Sequence, residues 1–300
     1  MGYSLMKYIF NTFLFFNLFN PIQPKPIYGN LSYYLPVQSP ASLALPVVVL
    51  HGLESSSEAV EPFCKWIETK FNRRVYNIEI GNGEQTSLFI PLTEQLAELC
   101  ARIYNIHELS NGFNFIGISQ GGLLARGYVE RCNRYPVMNL ITLVAPHGGV
   151  FLKTHIDSSL IYTPFIQAHL SMANYWRDPL KLNDYLTECI YLPLLNNEIW
   201  QDIQSQQQRA NIRSLTNFVM VWSPNDTVLA PPESGKFSFY DAKFKVIPLE
   251  ETDLYKLDYL GLKKMKERGG LHTFNTSCSH VDHRNPICFA QLYDIFIKFI

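Results

Sequence analysis

The sequence predicts an α/β fold: a mostly parallel sheet flanked by helices, with a largely helical insertion over one edge. Three observations carry this. Short apolar runs alternate with segments of helical periodicity from about residue 46 to residue 145, and the alternation returns after residue 217. One apolar run ends in Gly117-Ile118-Ser119-Gln120-Gly121, with a helix-like segment directly behind it. The stretch from about 150 to 216 is rich in Tyr, Trp, Asn and Gln and shows no strand pattern.

The first residues stand apart from this pattern. Lys7 precedes the apolar run Tyr8 to Phe19, the arrangement of a secretory signal peptide. The run is short for a membrane span and is interrupted by Asn11 and Asn17, so no stable span is expected; an uncleaved anchor is the alternative. The Pro-rich segment from Asn20 to Pro26 reads as a linker. Residues 1–29 are therefore assigned to signal peptide and linker, and residues 30–300 to one domain with its insertion at about 150–216.

The elements of that domain follow in order. Pro46 to Leu50 is continuously apolar, as a buried parallel strand must be, and ends in His51-Gly52. Phe63, Trp66 and Ile67 recur at helical spacing over Pro62–Lys70, with Pro62 suited to a first turn. Val75 to Ile80 is a strand stopped by Gly81-Asn82-Gly83. Leu92, Leu96, Leu99 and Ile103 form one apolar helix face that starts at Pro91. The strand and helix around Ser119 come next, then a strand over Met138–Val144. After the insertion, Phe218–Trp222 and Lys245–Leu249 are predicted strands, and Phe289–Ile300 is the last helix.

Composition narrows the function classes. A hydrophobic fraction of 47% is ample for a core, and 25 Lys and Arg against 26 Asp and Glu give a net charge of −1, with no reason to expect nucleic acid. The run Lys263-Lys264-Met265-Lys266-Glu267-Arg268 is short and mixed, and reads as a solvated helix face. The six cysteines are even in number, which in an oxidising compartment suggests disulfides that sequence alone cannot pair. Their spacings do not form a zinc framework, and neither metal nor cofactor is expected. Asn30, Asn225 and Asn275 begin Asn-x-Ser/Thr sequons and are candidate glycan sites.

The chemistry centres on Ser119. A Gly-x-Ser-x-Gly between a strand and a helix is a nucleophile elbow, and the turn is tight enough to require small residues two before and two after the serine. Gly117 and Gly121 satisfy that. A serine hydroxyl needs a base to take its proton. In the α/β-hydrolase order an acid follows a late strand, and a histidine precedes the final helix. Asp226 directly follows the strand ending at Trp222, although Pro-Asn-Asp is also ordinary turn chemistry. His283 precedes the final helix and is the expected base, with His280, three residues earlier, as its competitor. His147 comes before any plausible acid and is expected to line the cleft; His51 is expected to shape the first loop. The oxyanion hole needs two backbone N–H donors, and Leu53 and Gln120 are the candidates.

Several segments resemble the lysosomal palmitoyl-protein thioesterases: Ile116–Gly122, Arg131-Cys132, Asn139–Thr142, His147–Phe151, Tyr175–Pro179, Phe218–Val221, and Ile247–Thr252 with Leu254-Tyr255 and Leu260–Leu262. The resemblance runs from about Val47 to the C-terminus. It implies hydrolysis of the thioester between a long fatty acyl chain and cysteine in S-palmitoylated proteins or peptides. It carries nucleophile, acid and base onto Ser119, Asp226 and His283. It also implies a Cys100–Cys132 disulfide and a lysosomal destination, with secretion as the alternative. Two places depart from the family pattern: His51-Gly52-Leu53-Glu54-Ser55, where methionine and aspartate are expected after the glycine, and Ala145-Pro146 before His147. Cys278 and Cys288 bracket His283, and a bridge between them would stiffen that loop.

A long acyl chain gains about 0.8 kcal/mol per buried methylene, so an apolar groove could supply most of the binding. Phe151, Leu152, Ile161, Tyr162, Phe165, Ile166, Tyr175 and Trp176 of the insertion could line such a groove or form an ordinary core. The competing functions are a lipase or carboxylesterase acting on oxygen esters, and a catalytically inactive lipid carrier.

Overall fold

A computed structural model of the chain describes residues 44–153, 157–199 and 202–300. The segment assigned to signal peptide and linker, and the sequon at Asn30, lie outside the described residues.

Among the described residues, eight strands and twelve α-helices follow one another: β1 (Val47–Leu50), α1 (Ser57–Phe71), β2 (Val75–Ile78), α2 (Glu84–Phe89), α3 (Leu92–Tyr104), β3 (Phe113–Ile118), α4 (Gln120–Arg131) and β4 (Val137–Leu143). Between β4 and β5 the regular elements of the described residues are helices: α5 (Ser158–Ile161), α6 (Pro164–His169), α7 (Leu182–Glu188), α8 (Leu192–Leu195) and α9 (Asp202–Ser214). The chain then continues through β5 (Asn217–Trp222), β6 (Phe239–Tyr240), β7 (Val246–Ile247), α10 (Asp253–Lys256), α11 (Leu262–Glu267), β8 (Leu271–Asn275) and α12 (Pro286–Phe296). Six strands form one all-parallel sheet in the order β2-β1-β3-β4-β5-β8. This is the α/β-hydrolase fold.

The pleat sends alternate residues to opposite faces. Val47, Val49, Ile116, Ile118, Ile141, Leu143, Val219 and Val221 meet Val60, Phe63 and Ile67 of α1 and Leu292, Ile295 and Phe296 of α12 on one face. The alternate residues Val48, Leu50, Phe115 and Leu140 are equally buried, and α4 packs on β3 and β4 with α3 alongside it. Burial on both faces explains why these strands read as unbroken apolar runs.

Four expectations change. Helix α1 starts five residues before Pro62, at an N-cap where Ser56 Oγ accepts from Ala59 N, so Pro62 lies inside the helix. The apolar stretch Lys245–Leu249 does not enter the sheet. Only Val246–Ile247 is extended, and it pairs antiparallel with Phe239–Tyr240. The sixth sheet strand is β8, a half-exposed edge strand of sequence Leu-His-Thr-Phe-Asn whose polar residues hide it from any apolar pattern. The last helix begins at Pro286, its N1 residue, and ends at Phe296.

Two disulfides form. Cys100–Cys132 ties α3 to the C-terminus of α4, and Cys278–Cys288 closes the loop between β8 and α12. Cys64 and Cys189 are free and buried.

Candidate active site

Ser119 is the hinge between β3 and α4, with φ 54° and ψ −123°. That is a strained conformation for a residue with a side chain. It is held by Ser119 N donating to Leu143 O at 2.8 Å and Gly122 N donating to Ser119 O at 2.9 Å. The need for glycine on both sides is steric: a Cβ on Gly117 would sit 2.5 Å from Gly121 O, and one on Gly121 would sit 2.2 Å from His51 O.

The C-terminal ends of β3 and β5 and the loop after β8 bring three side chains into a row. His280 Nε2 lies 2.9 Å from Ser119 Oγ, and His280 Nδ1 lies 2.6 Å from Asp226 Oδ2. A carboxylate oxygen only accepts, so Nδ1 carries the proton and Nε2 accepts from the serine hydroxyl. The other oxygen of Asp226 accepts from Val228 N at 2.8 Å and Leu229 N at 2.9 Å. These bonds fix the carboxylate, which is 4% exposed.

His283, the base expected from sequence, is not in that row. It is fully buried, and both ring nitrogens are spent inside its own loop. Nδ1 donates to Ser279 O at 2.9 Å, and Nε2 accepts from Thr276 Oγ1 at 2.8 Å. Burial holds its pKa below that of an ordinary histidine. Its place is to brace the loop that presents His280, together with the Cys278–Cys288 bridge.

The loop after β1 is pinned on several sides. His51 Nε2 meets Glu79 Oε1 at 2.6 Å, and the second oxygen of Glu79 accepts from Ser57 N at 2.7 Å. Glu54, at φ 53°, donates its N–H to Ser87 Oγ at 2.9 Å. The histidine loop joins the same region through Arg284 Nη1, which donates to Ser55 Oγ at 2.5 Å. Leu53 follows Gly52 in this loop, and Gln120 opens α4, where the first N–H groups lack an intrahelical acceptor. The Gln120 side chain is locked: Nε2 donates to Ser87 O at 2.8 Å, and Oε1 accepts from Ser171 Oγ at 3.0 Å. Sequence reasoning missed Glu79, Ser87 and Ser171, since only the folded chain brings them to the loop.

His147 does not line the cleft. It is fully buried, stacked on Phe237 at 4.7 Å and bonded through Nε2 to Thr142 Oγ1 at 2.9 Å. Burial holds its pKa well below that of an ordinary histidine. Among the residues offered for an acyl groove, Phe151, Ile161, Tyr162, Tyr175 and Trp176 are buried, whereas Phe165 is 54% exposed. A cleft of about 410 Å³ lies beside them, lined by Phe151, Leu180 and Phe244 with Lys153, Asp157, Ser158, Asp178 and Lys181. Asn225 and Asn275 are exposed, and Asn225 Nδ2 donates to Ser277 O at 2.9 Å. Among the described residues no group of three or more His, Cys, Asp or Glu is placed to hold a metal, and no helix is long and apolar enough to cross a membrane.

Residues 46–280 match the family model of palmitoyl protein thioesterase. Palmitoyl-protein thioesterase 3 of Dictyostelium discoideum is 36% identical over 253 residues, covering 81% of this chain and 87% of its own. Lysosomal thioesterase PPT2 of Mus musculus is 30% identical, covering 88% and 92%. Among solved structures, a monoacylglycerol lipase of Paleococcus ferrophilus superposes with a TM-score of 0.50 at 14% identity, covering 86% of this chain and 95% of its own, a likeness of fold alone. The chain is a hydrolase and belongs to the palmitoyl protein thioesterase family.

Proposed function

We propose that the protein hydrolyses long-chain fatty acyl thioesters of cysteine in proteins or peptides, through an acyl-enzyme on Ser119. The observation that carries the mechanism is the unbroken relay Asp226–His280–Ser119. His280 takes the hydroxyl proton as Ser119 Oγ attacks the thioester carbonyl. The carbonyl oxygen becomes an oxyanion, for which Leu53 N–H and Gln120 N–H are the assigned donors. Collapse breaks the carbon–sulfur bond, and His280 returns the proton to the leaving cysteine sulfur. Water then repeats the sequence on the acyl-enzyme and releases the fatty acid. Asp226 holds the imidazole in the required tautomer and stabilises its protonated form. The substrate class rests on the family. The names of the relatives and the N-terminal Lys7–Phe19 pattern support a lysosomal location reached through the secretory pathway.

Comparing turnover of palmitoyl-cysteine thioesters with that of palmitate oxygen esters tests the reaction class. We expect the thioester to be preferred, and a strong preference for oxygen esters would make the protein a lipase or carboxylesterase instead. Retention of full activity by Ser119→Ala would remove the mechanism altogether.

A further inference from the structure

The basic run of α11 is exposed, as expected, and it does not stand alone. The fold lays it beside the end of α9, where Ala210, Arg213, Ser214, Lys264 and Arg268 line a cleft of about 460 Å³. Two of its three cations are held in place. The stem of Arg213 lies over Gly261, where a Cβ would sit 2.6 Å from Arg213 Cγ. Arg268 donates through Nη2 to Leu215 O. Lys266 of the same run is paired with Glu250 at 2.7 Å, whereas among the described residues none of Arg213, Lys264 and Arg268 is in an ion pair. The alternative reading is that these cations only complement helix C-termini. The carbonyl end of a helix such as α9 carries about half a negative charge. It therefore leaves most of the three positive charges in the cleft unanswered.

The cleft is remote from the active site. Thr216 N donates to Met138 O, and Phe218 N to Gly270 O, so the ends of α9 and α11 sit at the N-terminal ends of β4, β5 and β8. Ser119 lies beyond the C-terminal end of β3 in the same parallel sheet. One strand of this length separates the two ends by roughly 20 Å. A molecule held in the cleft would leave Ser119 open.

We propose that this cleft binds a phosphate-bearing ligand of headgroup size, with Arg213 and Lys264 as the phosphate contacts and Arg268 as a fixed supporting charge. Arginine suits bidentate phosphate recognition, and lysine adds a mobile point charge. The volume is several times that of a bare phosphate and matches a phosphorylated polyol or a phospholipid headgroup. The inference does not depend on the catalytic reading.

The test titrates the protein with inorganic pyrophosphate by calorimetry at low salt. In parallel it measures co-sedimentation with phosphatidylcholine vesicles that contain or lack phosphatidylglycerol. We expect saturable binding that weakens with salt and falls at least tenfold in Arg213→Gln/Lys264→Gln, with unfolding temperature and Ser119 activity unchanged. Binding of pyrophosphate alone would identify a free phosphate ester as the ligand, and binding of the anionic vesicles would identify a lipid headgroup. Lys243→Gln, an exposed cation elsewhere, should retain binding. Absence of both kinds of binding, or full binding in the double variant, or equal loss in Lys243→Gln, would overturn the proposal.

Discussion

The elbow that carries Ser119 and the loop that carries His280 meet at one hydrogen bond, yet they are built by opposite means. The elbow is made of backbone. Its geometry comes from one residue at φ 54°, a strand on one side, a helix on the other, and two glycines whose missing Cβ atoms admit the neighbouring chain. The histidine loop is made of side chains and a cross-link. It is held by Cys278–Cys288, by His283 on Thr276 and Ser279, by Arg284 on Ser55, and by Gln291 Oε1 accepting from Ser277 N at 2.9 Å. A backbone-built site tolerates changes in its exposed side chains but not in its glycines. A side-chain-built site can fail through residues that never touch substrate.

The largest effects should fall where the two meet. Ser119→Ala and His280→Ala should each lower kcat for a palmitoyl thioester by about 10⁴-fold or more, while His283→Ala keeps far more activity and loses stability instead. Equal losses in the two histidine variants would mean that His283 takes part in proton transfer. Glu79→Gln should lower kcat roughly ten- to a hundredfold through the loop that presents Leu53, with KM little changed; an unaltered kcat would show that the loop holds its shape without the His51–Glu79 contact. Replacing Cys278 and Cys288 together by serine should lower unfolding stability by about 2–3 kcal/mol. An unchanged denaturation midpoint would mean that the side-chain contacts alone hold the loop.

The smallest effect concerns pH. Burial disfavours the charged form of His283 in the fold, so its folded pKa lies below its unfolded value of about 6.5. The unfolded chain therefore binds the extra proton first as pH falls, and stability drops below about pH 6.5 by at most about 1.4 kcal/mol per unit from this group. Denaturant titrations from pH 7 to 5 should show a shallower fall for His283→Asn than for the native chain. Parallel curves would mean that His283 carries none of the acid sensitivity.

The same contrast decides what could be read from sequence. Ser119 was legible because Gly117 and Gly121 state the elbow's steric requirement within five residues. The buried strands β1, β3, β4 and β5 were legible because burial on both faces leaves an apolar run. Strand β8 was not, since an edge strand with one open side tolerates His272 and Thr273. Lys245–Leu249 has strand-like residues, but its partner is the short Phe239–Tyr240 segment. The choice between His280 and His283 is absent from the local sequence. It is made by Asp226, 54 residues away from His280, and by Ser119, 161 residues away. The basic run of α11 is exposed, as its short, mixed charge predicts, but its local sequence gives no sign of Arg213, which lines a cleft with it from another helix.

The Cys278–Cys288 bridge has one further consequence, for a chain that has been cut. Val281, 52% exposed, lies inside the bridged loop. A protease nick there would leave α12 covalently joined to the piece that carries Ser119, Asp226 and His280. The nicked molecule would run as one species until its disulfides were reduced.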